Sequence, residues 1–202
     1  MPFNKVTDLT SMVHLQNLES IDISNNELES LRHLCSLRHL RVLKADHNRI
    51  SDVSGLSDID GLIKLSLSGN RMQTVDFATT KWIRLEHLDL SRNALRSVSG
   101  LHKLQQLTLL NLSQSNSEMP SLTNVFPDHN ELEDVPWHAP CSLLSLRVLL
   151  CSWNPIRSLD ISFAPKLRTL FADSARLEVL RGLDNLRKLE HLSMRDQQAQ
   201  SM

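Results

Sequence analysis

The densest run of metal-capable side chains is "HNELEDVPWHAPC", residues 129–141. His129, His138 and Cys141 bring nitrogen and sulfur donors of the zinc-binding kind into thirteen residues, with Glu131, Glu133 and Asp134 beside them. Zinc sites pair their ligands more tightly than this, typically two to four residues apart. His129 also sits next to an asparagine, Asn130, as His47 and Arg92 sit next to Asn48 and Asn93. That recurrence marks a variable surface position, so no metal site is expected. The chain's nine histidines fall largely on variable repeat positions. His87 and His191 share one phase of a repeat, and His33 and His102 fall within one residue of another. That is a solvated surface, not a catalytic base. No G-x-x-x-x-G-K-[ST], H-E-x-x-H or C-x-x-C is present, and nothing indicates a nucleophile with its base and orienter. The expectation is a non-enzyme with no cofactor.

The repeat that sets those phases reads L-x-x-L-x-L-x-x-N-x-L-x-x-L-x-x-L-x-x-L. Its first leucines are Leu18, Leu40, Leu62, Leu85, Leu107, Leu146, Leu167 and Leu189. Successive intervals are 22, 22, 23, 22, 39, 21 and 22 residues. The long interval contains residues 114–128, which match nothing else in the chain, and it falls to 24 when those fifteen are removed. Deletion also joins "LTLLNLS" to "HNELEDV", which compares directly with "LEHLDLSRNALRSV" at 85–98. Residues 114–128 are therefore read as an insertion loop inside one repeat, and 1–202 as one domain. Lengthening a connection about eightfold costs only about 2 kcal/mol, at roughly 0.6 per doubling. Ser115, Asn116, Ser117, Pro120 and Pro127 suit a flexible excursion. Asn4 and Val6 fit the phase of Asn26 and Leu28, and Gln197 falls on the asparagine position, so both ends read as cut mid-repeat.

This period and consensus resemble leucine-rich repeats. They imply an α/β repeat solenoid, a horseshoe of ~22-residue units with short parallel strands on the concave face and 3₁₀ or irregular convex segments. Alternation within L-x-L turns Ile21 and Ile23, Leu65 and Leu67, and Leu88 and Leu90 inward. Strands are expected near 20–23, 42–45, 64–67, 87–90, 109–112, 148–151, 169–172 and 191–194. Leu95, Val98, Leu101 and Leu104 recur every three residues, the spacing of a 3₁₀ return segment. Gly55, Gly100 and Gly182 precede a leucine at one phase, where a tight turn is expected. Asn26, Asn48, Asn70, Asn93, Asn130 and Asn154 form a column whose amides bond backbone groups left open by the turn. Ala175 breaks the column, and the sequence names no replacement.

The net charge of −1 predicts neither a nucleic-acid nor a membrane partner. No run approaches the roughly 18 apolar residues that a spanning helix needs. "MPFNKVTDLT" has no apolar core of a secretory signal. Cys35, Cys141 and Cys151 are scattered and odd in number, which points to a reducing compartment, hence the cytoplasm. The variable strand positions carry the functional information. Between the two inward residues the series runs Asp22, Lys44, Ser66, Asp89, Asn111, Leu150, Phe171, Ser193. Two residues earlier it runs Ser20, Val42, Lys64, His87, Leu109, Val148, Thr169, His191. The face turns from polar to apolar along the chain. Leu109, Val148, Leu150, Trp153, Phe171 and Asp173 are the expected partner-binding residues, because contiguous exposed apolar side chains mark contact sites.

The stretch "KLRTLFADSARLEVLRGLDNLRKLEHLSMRDQ", residues 166–197, resembles the repeat domain of fungal spindle-pole-body scaffolds of the septation initiation and mitotic exit networks. "LRVLKADHNRISDVSGL" at 40–56 has the same character, and the "LSMRDQ" ending is the most specific part. The resemblance covers nearly all of the chain outside 114–128. It implies no catalytic residues. It implies a scaffold at the spindle pole body, a microtubule-organising centre, that docks to a coiled-coil anchor and gathers small-GTPase regulators and kinase complexes. Three rival readings are a regulatory subunit of protein phosphatase 1, a bacterial surface adhesin, and the repeat region of a larger enzyme such as adenylate cyclase. The mixed concave row fits the phosphatase subunit poorly, and the lack of a secretion signal argues against the adhesin.

Overall fold

The computed structural model describes residues 5–113 and 143–197. Twelve strands of three residues each are present there: β1 (Ser20–Asp22), β2 (Val42–Lys44), β3 (Lys64–Ser66), β4 (Thr74–Asp76), β5 (His87–Asp89), β6 (Ser97–Ser99), β7 (Leu109–Asn111), β8 (Val148–Leu150), β9 (Ser158–Asp160), β10 (Thr169–Phe171), β11 (Val179–Arg181) and β12 (His191–Ser193). Eight of them form one parallel sheet in the order β1-β2-β3-β5-β7-β8-β10-β12. All eight fall where the repeat spacing places them. Each three-residue strand can bury only its central side chain, so the core grows by stacking coils sideways. Leu43, Leu65, Leu88, Leu110, Leu149 and Leu170 fill that central position and are at most 2% exposed. The register is in step throughout, for example Leu109 opposite Val148 and Asn111 opposite Leu150. The sheet therefore passes directly from β7 to β8. The insertion at 114–128 lies outside the described residues.

The convex side departs from the expectation. Only some return segments are 3₁₀: Thr10–His14, Arg32–Leu34, Ser54–Leu56, Leu101–Lys103 and Leu183–Asn185. Val98, expected on a 3₁₀ turn, lies in β6, which pairs with β4, and β9 pairs with β11. The position of the capping side chain explains the split. In the early coils the cap precedes the inward residue: Asp8 before Leu9, Ser30 before Leu31, Asp52 before Val53. Each accepts the backbone N–H two residues on, at 2.9, 3.2 and 2.9 Å, and turns the chain at once. In β4 and β9 the cap follows the inward residue. Asp76 caps Ala78 N at 3.0 Å and Asp160 caps Ser162 N at 2.9 Å, so the three residues before the turn stay extended. In β6 and β11 the turn passes instead to Gly100 and Gly182, at φ of 72° and 81°.

Gly55 is corrected in its reason. It is not among the positive-φ residues of the chain. A Cβ there would meet Arg32 N of the preceding coil at 2.5 Å, so close approach of the backbones requires glycine. One large residue outside the leucine pattern also fills the core: Trp82 is 1% exposed, donates Nε1–H to Leu56 O at 2.9 Å, and packs on Phe77 with ring centroids 5.7 Å apart.

Candidate functional site

Five column asparagines are described, and all are buried. Each joins two coils. Asn70 donates Nδ2–H to Leu67 O of its own turn at 2.9 Å and to Ala45 O of the preceding coil at 3.0 Å, while its Oδ1 accepts Ile50 N–H at 3.0 Å. Asn48 and Asn93 repeat the set. Asn154 reaches Leu112 O at 3.0 Å, but its buried Oδ1 has no partner among the described residues. Asn130 lies outside the described residues. The residue before each of the described asparagines is left-handed: Asn25, His47, Gly69, Arg92 and Trp153. This turn holds the C-terminal edge of the concave face in a fixed shape. Gln197 does complete the column, preceded by Asp196 at φ 51°. Its Oε1 accepts Leu177 N–H and its Nε2–H donates to Ala172 O.

On the face itself the expected apolar residues come together. Leu109 is opposite Val148, and Leu150 is opposite Phe171. Opposed side chains on neighbouring strands stand about 5 Å apart, so these four form one patch. Leu109, Val148 and Leu150 are half-buried, and Phe171 is 40% exposed. Trp153, 37% exposed, follows Leu150 by three residues on the left-handed turn, pinned by its N–H to Asp173 O at 2.8 Å. Asp173 behaves differently from the others. Its Oδ1 accepts Ser193 Oγ–H at 2.6 Å and Arg195 N–H at 2.7 Å, so its carboxylate first of all ties the last coil to its neighbour.

The other half of the face is a polar depression of about 580 Å³, bordered by Asp22, Lys44, Asp46, His47, Asp89 and Arg92 among others. A hydrogen-bonded ladder runs through it. Asp46 Oδ1 accepts Ser66 Oγ–H at 2.6 Å and Ser68 N–H at 2.8 Å, Ser68 and Ser91 hydroxyls share a bond of 2.9 Å, and Asp89 takes Ser91 and Asn111 donors. The hydrogen bonds from Ser24 hold the Asp22 carboxyl below its usual range, with a smaller push from Lys44 on the next strand. His47 lies over Gly69, where a Cβ would come within 2.5 Å of the ring. This ladder was not legible in the sequence, because serines in a variable row look like mere solvent-facing filler.

Cys151 is buried, its thiol pushed up to about 12 by loss of solvent, and it donates weakly to Phe171 O at 3.4 Å. Cys35 is exposed. His129, His138 and Cys141 lie outside the described residues. Among the described residues no group of His, Cys, Asp or Glu is arranged to hold a metal, and no helix is long and apolar enough to cross a membrane.

Two family profiles match. Residues 4–81 match "Leucine-rich repeat and WD repeat-containing protein 1, LRR", and residues 60–117 match "Leucine rich repeat". No curated protein matches the chain. Among solved structures, the internalin InlF of Listeria monocytogenes superposes with a TM-score of 0.70 at 22% identity over 97% of this chain and 52% of its own. Internalin C2 of the same organism gives 0.69 at 20% identity, over 96% and 78%. The plant peptide hormone receptor RGFR1, in complex with RGF2, gives 0.69 at 22% identity, over 94% and 30%. This chain thus spans about half the length of InlF and less than a third of the receptor. With in-step parallel strands, an asparagine column and these likenesses in hand, the chain is a leucine-rich repeat domain folded as a horseshoe.

Proposed function

We propose that this domain is a non-catalytic scaffold whose concave face seats a protein partner over β7, β8 and β10. One observation carries the reading: Phe171 stands 40% exposed on the sheet and Trp153 37% exposed on the turn beside it, while Leu170 and Leu149 of the same strands are 0% and 1% exposed. Large apolar groups held open to water on a fixed frame are the anchors of interfaces. Each contributes about 1.5–3 kcal/mol when fully buried, so three or four are enough for micromolar affinity after ordering costs. A structural neighbour that is a peptide hormone receptor in complex with RGF2 supports the use of this fold for holding a polypeptide.

The resemblance of residues 166–197 supports a finer reading. The domain docks to a coiled-coil anchor at the cytoplasmic spindle pole body and gathers septation or mitotic-exit components, small-GTPase regulators and kinase complexes among them. The test is capture of pole-body anchor fragments by the parent and by Phe171→Ala, Trp153→Ala, Asp22→Ala and Lys44→Ala. Phe171→Ala and Trp153→Ala are expected to lose binding at unchanged melting temperature. Loss confined to Asp22→Ala and Lys44→Ala would place the site at the other end of the face.

A further inference from the structure

The polar half of the concave face is close to neutral in formal charge, yet its two signs are not equally available. Asp46 and Asp89 are half-buried, and their carboxylates are pinned by serine and asparagine donors. Asp22 is exposed but takes Ser24 N–H at 3.1 Å. Lys44, Lys64 and Arg92 are exposed and make no ion pair or side-chain hydrogen bond among the described residues. An ammonium has three N–H donors and a guanidinium five, all unspent here. The face therefore presents open cationic donors beside committed carboxylates, and next to them the apolar patch of Leu109, Leu150 and Phe171.

Resting on the docking reading above, we propose that the occupant is a linear peptide with an acidic block adjoining an apolar or aromatic anchor. The acidic block lies over β2 to β5 and the anchor over β7 to β10. Five strand spacings separate β2 from β10 in the sheet. At about 4.8 Å each this is about 24 Å, the reach of about seven extended residues. Charged hydrogen bonds to Arg92 and Lys64 set register and direction, while the patch supplies most of the affinity.

The test uses the full chain and fluorescein-labelled synthetic peptides, each with a Leu/Phe block joined to four Glu, four Gln or four Lys, in both block orders. One Glu peptide is expected to bind about tenfold tighter than its Gln counterpart at low salt, and the gap is expected to close near 1 M salt, where the screening length is only about 3 Å. A Lys64→Ala, Arg92→Ala double variant is expected to bring the Glu peptide down to the Gln level and leave the Gln peptide unchanged. If the Gln or Lys peptide binds as tightly as Glu while Phe171→Ala still weakens it, the acidic assignment falls and the docking face stands. If no peptide binds, or binding ignores Phe171→Ala and Trp153→Ala, both fall.

Discussion

Asn70 and Ala175 occupy the same phase of the repeat and meet its turn in different ways. Asn70 spans two coils, accepting Ile50 N–H and donating to Leu67 O and Ala45 O, carbonyls it shares with Asn93 and Asn48. At Ala175 the groups that an asparagine would serve are handled locally: Ile156 N–H bonds Asn154 O at 2.8 Å. The column was legible in the sequence because asparagine chemistry is local and the spacing is regular. The substitute at Ala175 was not, because it is a three-residue turn around Pro155, a full coil earlier in the chain. Asn70→Ala leaves Ile50 N–H buried without its acceptor, while Ala45 O keeps Asn48 Nδ2, and is expected to cost about 1–3 kcal/mol by urea denaturation. Gln197→Ala, at a half-buried place on the last coil, is expected to cost less than about 1 kcal/mol. Equal losses would mean that the column acts through packing rather than through its hydrogen bonds.

At the level of elements, inward faces follow from period alone, whereas the choice between a 3₁₀ turn and a convex strand depends on where a cap stands relative to one inward residue. The leucine spacing of three is the same in both cases, so it misplaced Val98. "DVS" and "VDFA" differ by one step in register, and that step decides the element. Glycines divide in a similar way. Gly55 lies against the backbone of the previous coil, while the nearest atom to a Cβ on Gly61 is Leu40 O at 3.4 Å. Gly55→Ala must push two coils apart and is expected to lose about 1–3 kcal/mol. Gly61→Ala, with room and no left-handed backbone, is expected to be neutral or to gain up to about 1 kcal/mol by restricting the unfolded chain. Thermal melting of the two variants checks this, and a destabilised Gly61→Ala would contradict the assignment of Gly55 to coil contact.

For the whole molecule, the repeat made the sheet legible and the variable rows made the apolar half of the face legible. The polar ladder escaped, since its bonds join residues about 20 apart whose types alone do not show which pairs will meet. Asp173 makes bonds of the same kind with Ser193 and Arg195 of the last coil, apart from that ladder. A stack of this kind transmits stability only between neighbours, so the same substitution should cost different amounts along it. Leu110, at the centre of β7, is 0% exposed between two coils. Leu192 holds the equivalent place in β12 and is 44% exposed, because no described coil lies beyond it. Leu110→Ala is expected to lose about 2–5 kcal/mol, with a cavity left in a site that cannot collapse. Leu192→Ala removes a side chain that water already reaches, and is expected to lose less than about 1 kcal/mol. Denaturation midpoints, with hydrogen exchange to locate the loss, measure both. Equal costs at Leu110 and Leu192 would show that the surface over β12 is covered in solution, and the end coil would then have to be treated as an interior one.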